Sequence, residues 1–184
     1  MTPELLLLAL LCSGCGKEAP LPPRPVRTFD LSEAEARFLE GDWEGAEAGF
    51  SLAACQGSPD GAAWLGRVLL KQSRPLEAEH AFRMALGPAL HAVEGTRARA
   101  RVGLADALMA QGRPGAALAE YSSLLKDASA LAVLDPAEVT YHAALASLRT
   151  GLWEAGGAHL KRIVASHPDS PFADMASERL EDVA

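Results

Sequence analysis

Apolar residues recur at helical spacing along most of the chain after residue 31. Residues 64–85, WLGRVLLKQSRPLEAEHAFRMA, contain two such runs on either side of a turn. Pro75 marks the turn because it lacks an N–H and biases Arg74 away from helical backbone angles, and it can itself open the second helix. The pattern therefore predicts two short antiparallel helices joined at this turn.

Small residues in this segment predict how its two helices pack. Gly66 and Ala78 would let the two backbones approach closely, and the ring of Phe82 would fill the space beside them. A helix pair of this size cannot bury its apolar face alone, so it needs neighbours of the same kind. The same spacing of a small and a large residue recurs at three other places: Ala46/Phe50, Ala117/Tyr121 and, less faithfully, Gly156/Leu160.

Turn-forming residues divide the chain into four helix pairs and a final helix. The pairs are predicted at about residues 32–55, 60–86, 100–125 and 134–171, and an amphipathic helix at 172–183 would cap the stack. At the start of the first pair, Ser32 is expected to be the N-cap and to form a capping box with Glu35.

Composition agrees with an all-α fold. Of the 184 residues, 49% are hydrophobic but only 5% are aromatic, so Ala and Leu supply most of the apolar mass. Runs of β-branched residues bounded by turns are missing, which argues against a sheet. The formal net charge of −7 weighs against a nucleic-acid partner, because phosphates require clustered Lys and Arg.

Pairs of helices that repeat near ~34 residues, with Leu-Gly on the first helix and Ala-x-x-x-Phe on the second, resemble tetratricopeptide repeats. The matching positions of the second copy are Leu65, Gly66, Ala78, Phe82 and Ala85. Residues 53–66 also resemble the related Sel1-type repeat, another helix-pair solenoid. Both resemblances imply an α-solenoid of antiparallel helix pairs over residues 31–183, with about four repeats and a C-terminal capping helix.

The resemblance further implies that the first helices of the repeats line a concave groove that binds a protein or peptide. Carried over by position, the groove candidates are Glu35, Phe38, Arg67, Leu70, Lys71, Arg99, Asp106, Met109, Tyr141, Leu145 and Arg149. Chaperone-binding members of the family grip a peptide carboxylate with Lys and Asn. Here those positions hold Ala63, Arg67, Val102 and Asp106, so that grip is not expected. Ordinary exposed helix surface is the alternative for the whole set.

The N-terminus carries an apolar run from Leu5 to Leu11, far shorter than the ~20 residues that a membrane-spanning helix needs. Small residues and Cys15 follow, which indicates a signal peptide over residues 1–14. Its end resembles a bacterial lipobox, and this resemblance implies that Cys15 is acylated. The alternative is an uncleaved apolar N-terminus. Residues 15–30 contain four prolines and predict an extended tether between the anchor and the repeats.

No catalytic grouping is evident, and the sequence predicts a protein that is not an enzyme, with no cofactor, metal or small-molecule substrate. The five histidines are scattered and are expected to be isolated and solvent-facing. Cys55 is expected to be a small core residue. Arg97, Arg99 and Arg101 would form a solvated first helical turn, with a partner contact as the alternative.

The leading hypothesis is a lipid-anchored, periplasm-facing scaffold lipoprotein of the bacterial cell envelope, bound through its N-terminal anchor and engaged in envelope or outer-membrane complex assembly. Lys17 after the acylated cysteine favours the outer membrane by family resemblance. The alternative is a self-associating structural repeat protein without a peptide groove. Cell-wall hydrolysis by paired carboxylates is the least favoured hypothesis.

Overall fold

A computed structural model describes residues 30–183 of the chain. This part of the chain folds into ten helices and contains no strand, which confirms the predicted all-α class. The helices are α1 (Ser32–Glu40), α2 (Trp43–Cys55), α3 (Pro59–Lys71), α4 (Pro75–Ala85), α5 (Glu94–Ala110), α6 (Pro114–Leu124), α7 (Ala128–Leu131), α8 (Pro136–Arg149), α9 (Trp153–Ser166) and α10 (Pro171–Val183). The predicted signal peptide and tether, apart from Asp30, lie outside the described residues.

The helices pack as consecutive pairs, α1 with α2, α3 with α4, α5 with α6 and α8 with α9. The second helix of each pair packs against the first helix of the next pair, and α3 also lies directly beside α5. Helix α10 contacts both α9 and α8, and therefore closes the last pair as the predicted cap. The short helix α7, which the sequence did not predict, packs against α5. The architecture is the α-solenoid expected from the repeats.

The turn inside each pair has a left-handed residue at the same position. These residues are Gly41, Ser73, Gly112 and Gly151, with φ of 82°, 60°, 73° and 80°. Glycine adopts this conformation without the steric cost that a Cβ imposes, so Ser73 is the one member of the set that bears that cost. The recurrence shows that the four pairs share one turn geometry.

The predicted capping box at the start of α1 does not form. Ser32 lies inside the first turn, and its hydroxyl donates to Asp30 Oδ1 at 2.6 Å. The same carboxylate oxygen accepts the backbone N–H of Ser32 at 3.0 Å. Asp30 thus takes the acceptor role that the sequence assigned to Ser32, because its side chain precedes the helix and faces the free N–H groups.

The ring of Phe82 occupies the space left by two glycines, as the sequence predicted for one of them. A Cβ on Gly66 of α3 would lie 2.7 Å from the ring, and a Cβ on Gly103 of α5 would also collide with it. Phe82 is only 1% exposed. The equivalent large residues of the other repeats are fully buried as well: Phe50, Tyr121 and Leu160. The predicted packing of small against large residues is confirmed.

A polar contact joins the second repeat to the third. Glu79 of α4 accepts a hydrogen bond from Gln111 Nε2 at 2.7 Å, and Arg113 Nη1 lies 3.1 Å from the same carboxylate oxygen. Gln111 also donates to the backbone carbonyl of Pro75 at 3.1 Å. We call this arrangement of a carboxylate, an amide and a guanidinium the turn clamp.

The same clamp joins the first repeat to the second. Glu47 of α2 accepts from Gln72 Nε2 at 2.9 Å and pairs with Arg74 Nη1 at 2.9 Å, and Gln72 reaches the carbonyl of Trp43 at 3.4 Å. At the third junction the corresponding positions hold Leu118 and Leu152 instead of the carboxylate and the guanidinium. The clamp therefore ends after two copies.

Candidate functional site

An open pocket of about 550 Å³ lies across the first three repeats. Helix α1 contributes Glu35 to it, α3 contributes Trp64 and Arg67, and α5 contributes Thr96 and Arg99. Because these are the first helices of three successive pairs, the pocket lies on the surface that the family resemblance assigned to the groove. We call this surface the groove.

Arg67 is held over the aromatic residues at the base of the pocket. Its guanidinium carbon lies 4.2 Å from the centroid of the Trp64 ring and 5.4 Å from that of Phe38. A cation at this distance is attracted to the ring face. Burial lowers the pKa of Arg67, as does the nearby charge of Arg99, while Glu138 of α8 opposes the shift. Arginine nevertheless remains protonated in proteins, so the pocket holds a cation, and its side chain is exposed to solvent.

The aromatic base below Arg67 is a packed cluster. The ring of Trp64 stacks on that of Phe50 with centroids 5.5 Å apart and an interplanar angle of 7°. Phe38 meets Trp64 edge-on at 5.3 Å and Trp43 at 5.2 Å. These contacts fix the orientation of the Trp64 ring, and thereby the position of the guanidinium above it.

Farther along the groove, Asp106 of α5 bridges two other elements. The Tyr121 hydroxyl donates to Asp106 Oδ1 at 2.5 Å, and His142 Nδ1 of α8 lies 3.2 Å from the same oxygen. Burial works against protonation of His142, but the hydrogen bond and charge of Asp106, together with the charge of Glu138, outweigh it and raise the pKa of the imidazole. Burial and the charge of Asp106 raise the pKa of Tyr121, which therefore stays protonated.

Comparison with known proteins agrees with this architecture. A family model described as "Tetratricopeptide repeat" matches residues 63–132 and 102–171, which together span more than half of the chain. The chain belongs to the tetratricopeptide repeat family. A solved structure with a similar fold is that of YrrB, described as a tetratricopeptide repeat protein with an unusual peptide-binding site; the TM-score is 0.61 at 22% identity, over 79% of this chain and 71% of that one. No curated protein matches the sequence.

The tetratricopeptide fold brings three of the predicted groove residues together. Glu35, Arg67 and Arg99 line the same pocket, although about one repeat of sequence separates each of them from the next. Lys71 and Arg149 are exposed, and neither forms an ion pair within residues 30–183. Whether these side chains contact a partner stays a prediction.

Other candidates of the predicted groove are mostly covered by the protein itself. Phe38 is 8% exposed and Tyr141 is 5% exposed, and the Tyr141 ring packs against Phe172 of the capping helix at 5.7 Å. Little of either ring is available to a partner in this structure. The remaining apolar candidates are half-buried and pack against the core clusters: Leu70, Met109 and Leu145.

Three expectations outside the groove set need correction. Cys55 is exposed and not a core residue, and it is the last residue of α2. Arg101 is not a solvated side chain, since it pairs with Asp127 at 3.1 Å and donates to Ser123. His142, His159 and His167 are half-buried instead of facing solvent, and His142 is bound to Asp106.

Sequence reasoning missed Trp64, Thr96 and His142 as members of the groove. Trp64 and Thr96 lie three residues before Arg67 and Arg99, one helical turn away on the same face, and this spacing could have identified them. In the part of the chain that the structure describes, no three His, Cys, Asp or Glu side chains converge as a metal site would require. None of the helices there is both long and apolar enough to cross a membrane.

Proposed function

We propose that this tetratricopeptide repeat chain is a scaffold that holds a segment of a partner protein in its groove. The observation that carries the proposal is the pocket itself, in which Glu35, Arg67 and Arg99 from three successive repeats share one surface. A surface built from several repeats suits an extended peptide or a helix, since either contacts more than one repeat at once. The peptide-binding site named for YrrB supports a ligand of the same class.

The chemistry of the groove agrees with peptide recognition. It combines the ring of Trp64, which lines the pocket, with charged side chains that reach the solvent. Aromatic residues and arginines dominate the binding energy of protein interfaces because they bury large areas and form several hydrogen bonds. We propose that the scaffold binds its partner and catalyses no reaction.

Selection from a random peptide library displayed on phage tests this proposal. Peptides selected on the wild-type chain should bind much more weakly to a groove variant that carries Arg67→Glu, Lys71→Glu and Arg149→Glu. The matched control is Arg97→Glu, Lys126→Glu and Lys161→Glu, which changes the net charge equally at exposed positions outside the pocket. Equal binding to the two triple variants, both folded by circular dichroism, would rule out recognition in the groove.

We also propose that the scaffold is anchored by lipid at Cys15 in the bacterial cell envelope, faces the periplasm and positions its partner during assembly of an envelope or outer-membrane complex. The support is the apolar leader, the small residues before Cys15 and the proline-rich segment 15–30. Acyl chains contribute ~0.8 kcal/mol per buried methylene, so several of them hold a protein on a membrane durably.

Labelling with a radioactive fatty acid in bacteria tests the anchor. The wild type should incorporate the label, and Cys15→Ala should abolish it. Cys12→Ala is the matched control, because it removes a cysteine three residues earlier and should keep the label. Membrane fractionation then reports which membrane carries the protein. Label that persists in Cys15→Ala would exclude Cys15 as the attachment site but would leave the groove proposal intact.

A further inference from the structure

Polar contacts are fewer at the third junction, where the fourth repeat meets the third, than at the two junctions before it. Within residues 30–183, a single ion pair, and no other side-chain hydrogen bond, joins helices α8–α10 to the first three repeats: His142 Nδ1 of α8 lies 3.2 Å from Asp106 Oδ1 of α5. Each earlier junction has the three contacts of a turn clamp, and Asp60 and Thr96 add another at the second. The polar part of the third junction therefore depends on one imidazole.

Apolar packing divides along α8. This helix packs mainly on α6 of the third repeat and hardly on α5, whereas α3 and α5 lie side by side. One side of α8 belongs to the central core, and the other side forms a separate cluster with α9 and α10. The residues of α8 in the central core are Val139, Ala143 and Ala146. Helices α8–α10 are therefore a unit of their own, attached through α6 and through the contact of His142 with Asp106.

Titratable groups face His142 from three helices. Asp106 faces it from α5, the Tyr121 ring lies 5.8 Å from it on α6, and Glu138 lies one turn earlier on α8 itself. From α9, Arg162 contacts a different residue of α8, and no charge of α9 or α10 is among those that act on the imidazole. Tyr121 stays protonated. Histidine is thus the one side-chain type of this group that ordinarily titrates between about pH 5 and about pH 8.

Protonation changes the nature of the contact at the junction. A carboxylate only accepts hydrogen bonds, so Asp106 needs a proton on the nitrogen of His142 that faces it. When the imidazole is charged, the contact is an ion pair, and Glu138 adds a second attraction. When the imidazole is neutral, it offers at most a neutral donor, and the attraction between opposite charges is lost. The Tyr121 hydroxyl donates to the same carboxylate oxygen and does not titrate in this range, so the acceptor keeps its position.

We propose that the proton on His142 controls how firmly helices α8–α10 dock on the first three repeats, so that the third junction tightens in acid and loosens as the pH rises. The first and second junctions are held by Glu, Gln and Arg, which do not ordinarily titrate between about pH 5 and about pH 8. The effect is therefore confined to the C-terminal end of the solenoid. This control adds to the proposed scaffold function and operates without a ligand.

The direction of the pKa shift agrees with docking that is stronger in acid. Burial opposes protonation of His142, but the hydrogen bond and charge of Asp106 and the charge of Glu138 raise its pKa. A group whose pKa is higher in the docked state stabilises docking below its undocked value, and this contribution is lost as the pH rises through the docked-state pKa. The opening constant of the unit should therefore increase with pH by the ratio of the two acid dissociation constants of His142, undocked over docked.

Amide hydrogen exchange of the wild-type chain, followed residue by residue by NMR, tests the proposal. Protection factors, which correct for the effect of pH on the chemical exchange rate, should be lower in α8 and α9 at about pH 8 than at about pH 5. The decrease should match the ratio of two dissociation constants of His142, one at the ordinary pKa of about 6.5 and the other from an NMR titration of the folded protein. Protection in α3 and α4 should change by less than about twofold, because the turn clamp does not ordinarily titrate in this range.

Three variants sharpen the comparison. His142→Gln keeps a polar side chain that cannot be charged, so protection in α8 and α9 should become independent of pH. Asp106→Asn removes the carboxylate and should reduce the dependence. His159→Gln is the matched control, because His159 is also half-buried and belongs to the same unit, but contacts Arg162 instead of Asp106. It should keep the pH dependence of the wild type.

Equal protection of α8 and α9 at the two pH values would overturn the proposal. An equal change in α3 and α4 would do the same, because it would show that pH acts on the whole fold and not on the third junction. A pH dependence that survives in His142→Gln would assign the effect to another group. The comparison of α8 and α9 with α3 and α4 in the wild type needs no variant, so it decides the question even if a substitution prevents folding.

Discussion

The Arg113 guanidinium lies 3.1 Å from the Glu79 carboxylate of the preceding repeat, where it shares one oxygen with Gln111. An equivalent contact of Arg74 with Glu47 joins the first two repeats. The recurrence of the same three residue types at two junctions shows that hydrogen bonds, in addition to apolar packing, fix the register of successive repeats.

Truncation of the two clamp carboxylates should have unequal effects. The Glu79 side chain is 12% exposed and that of Glu47 is 27% exposed, so water can replace the lost partner more easily at the first junction. We expect Glu79→Ala to lower the free energy of unfolding by about 1–3 kcal/mol, as for other buried hydrogen-bonding groups. Glu47→Ala should cost less. Urea unfolding of both variants measures the difference, and a larger loss at Glu47 would show that burial does not set the strength of the clamp.

The contribution of Glu79 should depend on pH. The hydrogen bond from Gln111 lowers its pKa, burial opposes that shift, and the charges of Arg83 and Arg113 reinforce it. A lowered pKa in the folded state means that the stabilisation is present above the ordinary glutamate value of about 4.3 and disappears as the pH falls through the folded-state pKa. The difference in stability between wild type and Glu79→Gln should therefore shrink below that value; a constant difference would indicate a role of shape alone.

Phe82 and Gly103 should be energetically coupled. We expect Phe82→Ala to cost ~3–5 kcal/mol as a core truncation, and Gly103→Ala to cost ~1–3 kcal/mol because its new methyl would collide with the ring. In the double variant the methyl enters the space that the ring has left, so the combined loss should be smaller than the sum of the two. Additive losses in calorimetry would show that the two residues do not share one space.

Exchanging serine and glycine at the left-handed turn position of two repeats should have opposite effects on stability. Ser73 and Gly112 are both exposed and have φ of 60° and 73°. Ser73→Gly should stabilise the protein, and Gly112→Ser should destabilise it, each by ~0.5–1 kcal/mol after the greater freedom of glycine in the unfolded chain is subtracted. The thermal midpoints of the two variants should therefore move in opposite directions. Shifts of the same sign would mean that the turns differ in the native protein.

His142 should titrate above its ordinary value because of Asp106. An NMR titration of the imidazole should give a pKa above the usual ~6.5 in the wild type, and Asp106→Asn should lower it, since burial, which opposes protonation, remains. A raised folded-state pKa means that the charge on His142 stabilises the fold below the ordinary value and that this contribution is lost as the pH rises through the folded-state pKa. An unchanged pKa in Asp106→Asn would assign the shift to Glu138.

The sequence predicted those features of the fold that depend on local chemistry. Turn residues such as Pro75 and Gly112 placed the helix boundaries, and the spacing of Ala78 and Phe82 identified the packed pair. The resemblance to tetratricopeptide repeats, carried over by position, also placed Arg67 and Arg99 on one surface.

Contacts between repeats were not predicted, because they depend on how the helix pairs stack. Gly103 contacts Phe82 from the following repeat, and His142 meets Asp106 across 36 residues. The clamp nevertheless left a local trace in the segments QSRP and QGRP, which place Gln and Arg at identical positions before the two prolines. Reading repeats against one another, position by position, would have shown it.

The turn clamp is missing from the third junction, and this affects the curvature of the solenoid. At the third junction, Leu118 packs against the central core and Leu152 is half exposed. The equivalent positions of the two earlier junctions form directional hydrogen bonds. Apolar contacts lack a preferred angle, and the width of a solenoid groove follows from small rotations between repeats. The contact of His142 with Asp106 on the groove side is therefore a polar link that holds α8 beside α5, and the width of the groove at the fourth repeat depends on it.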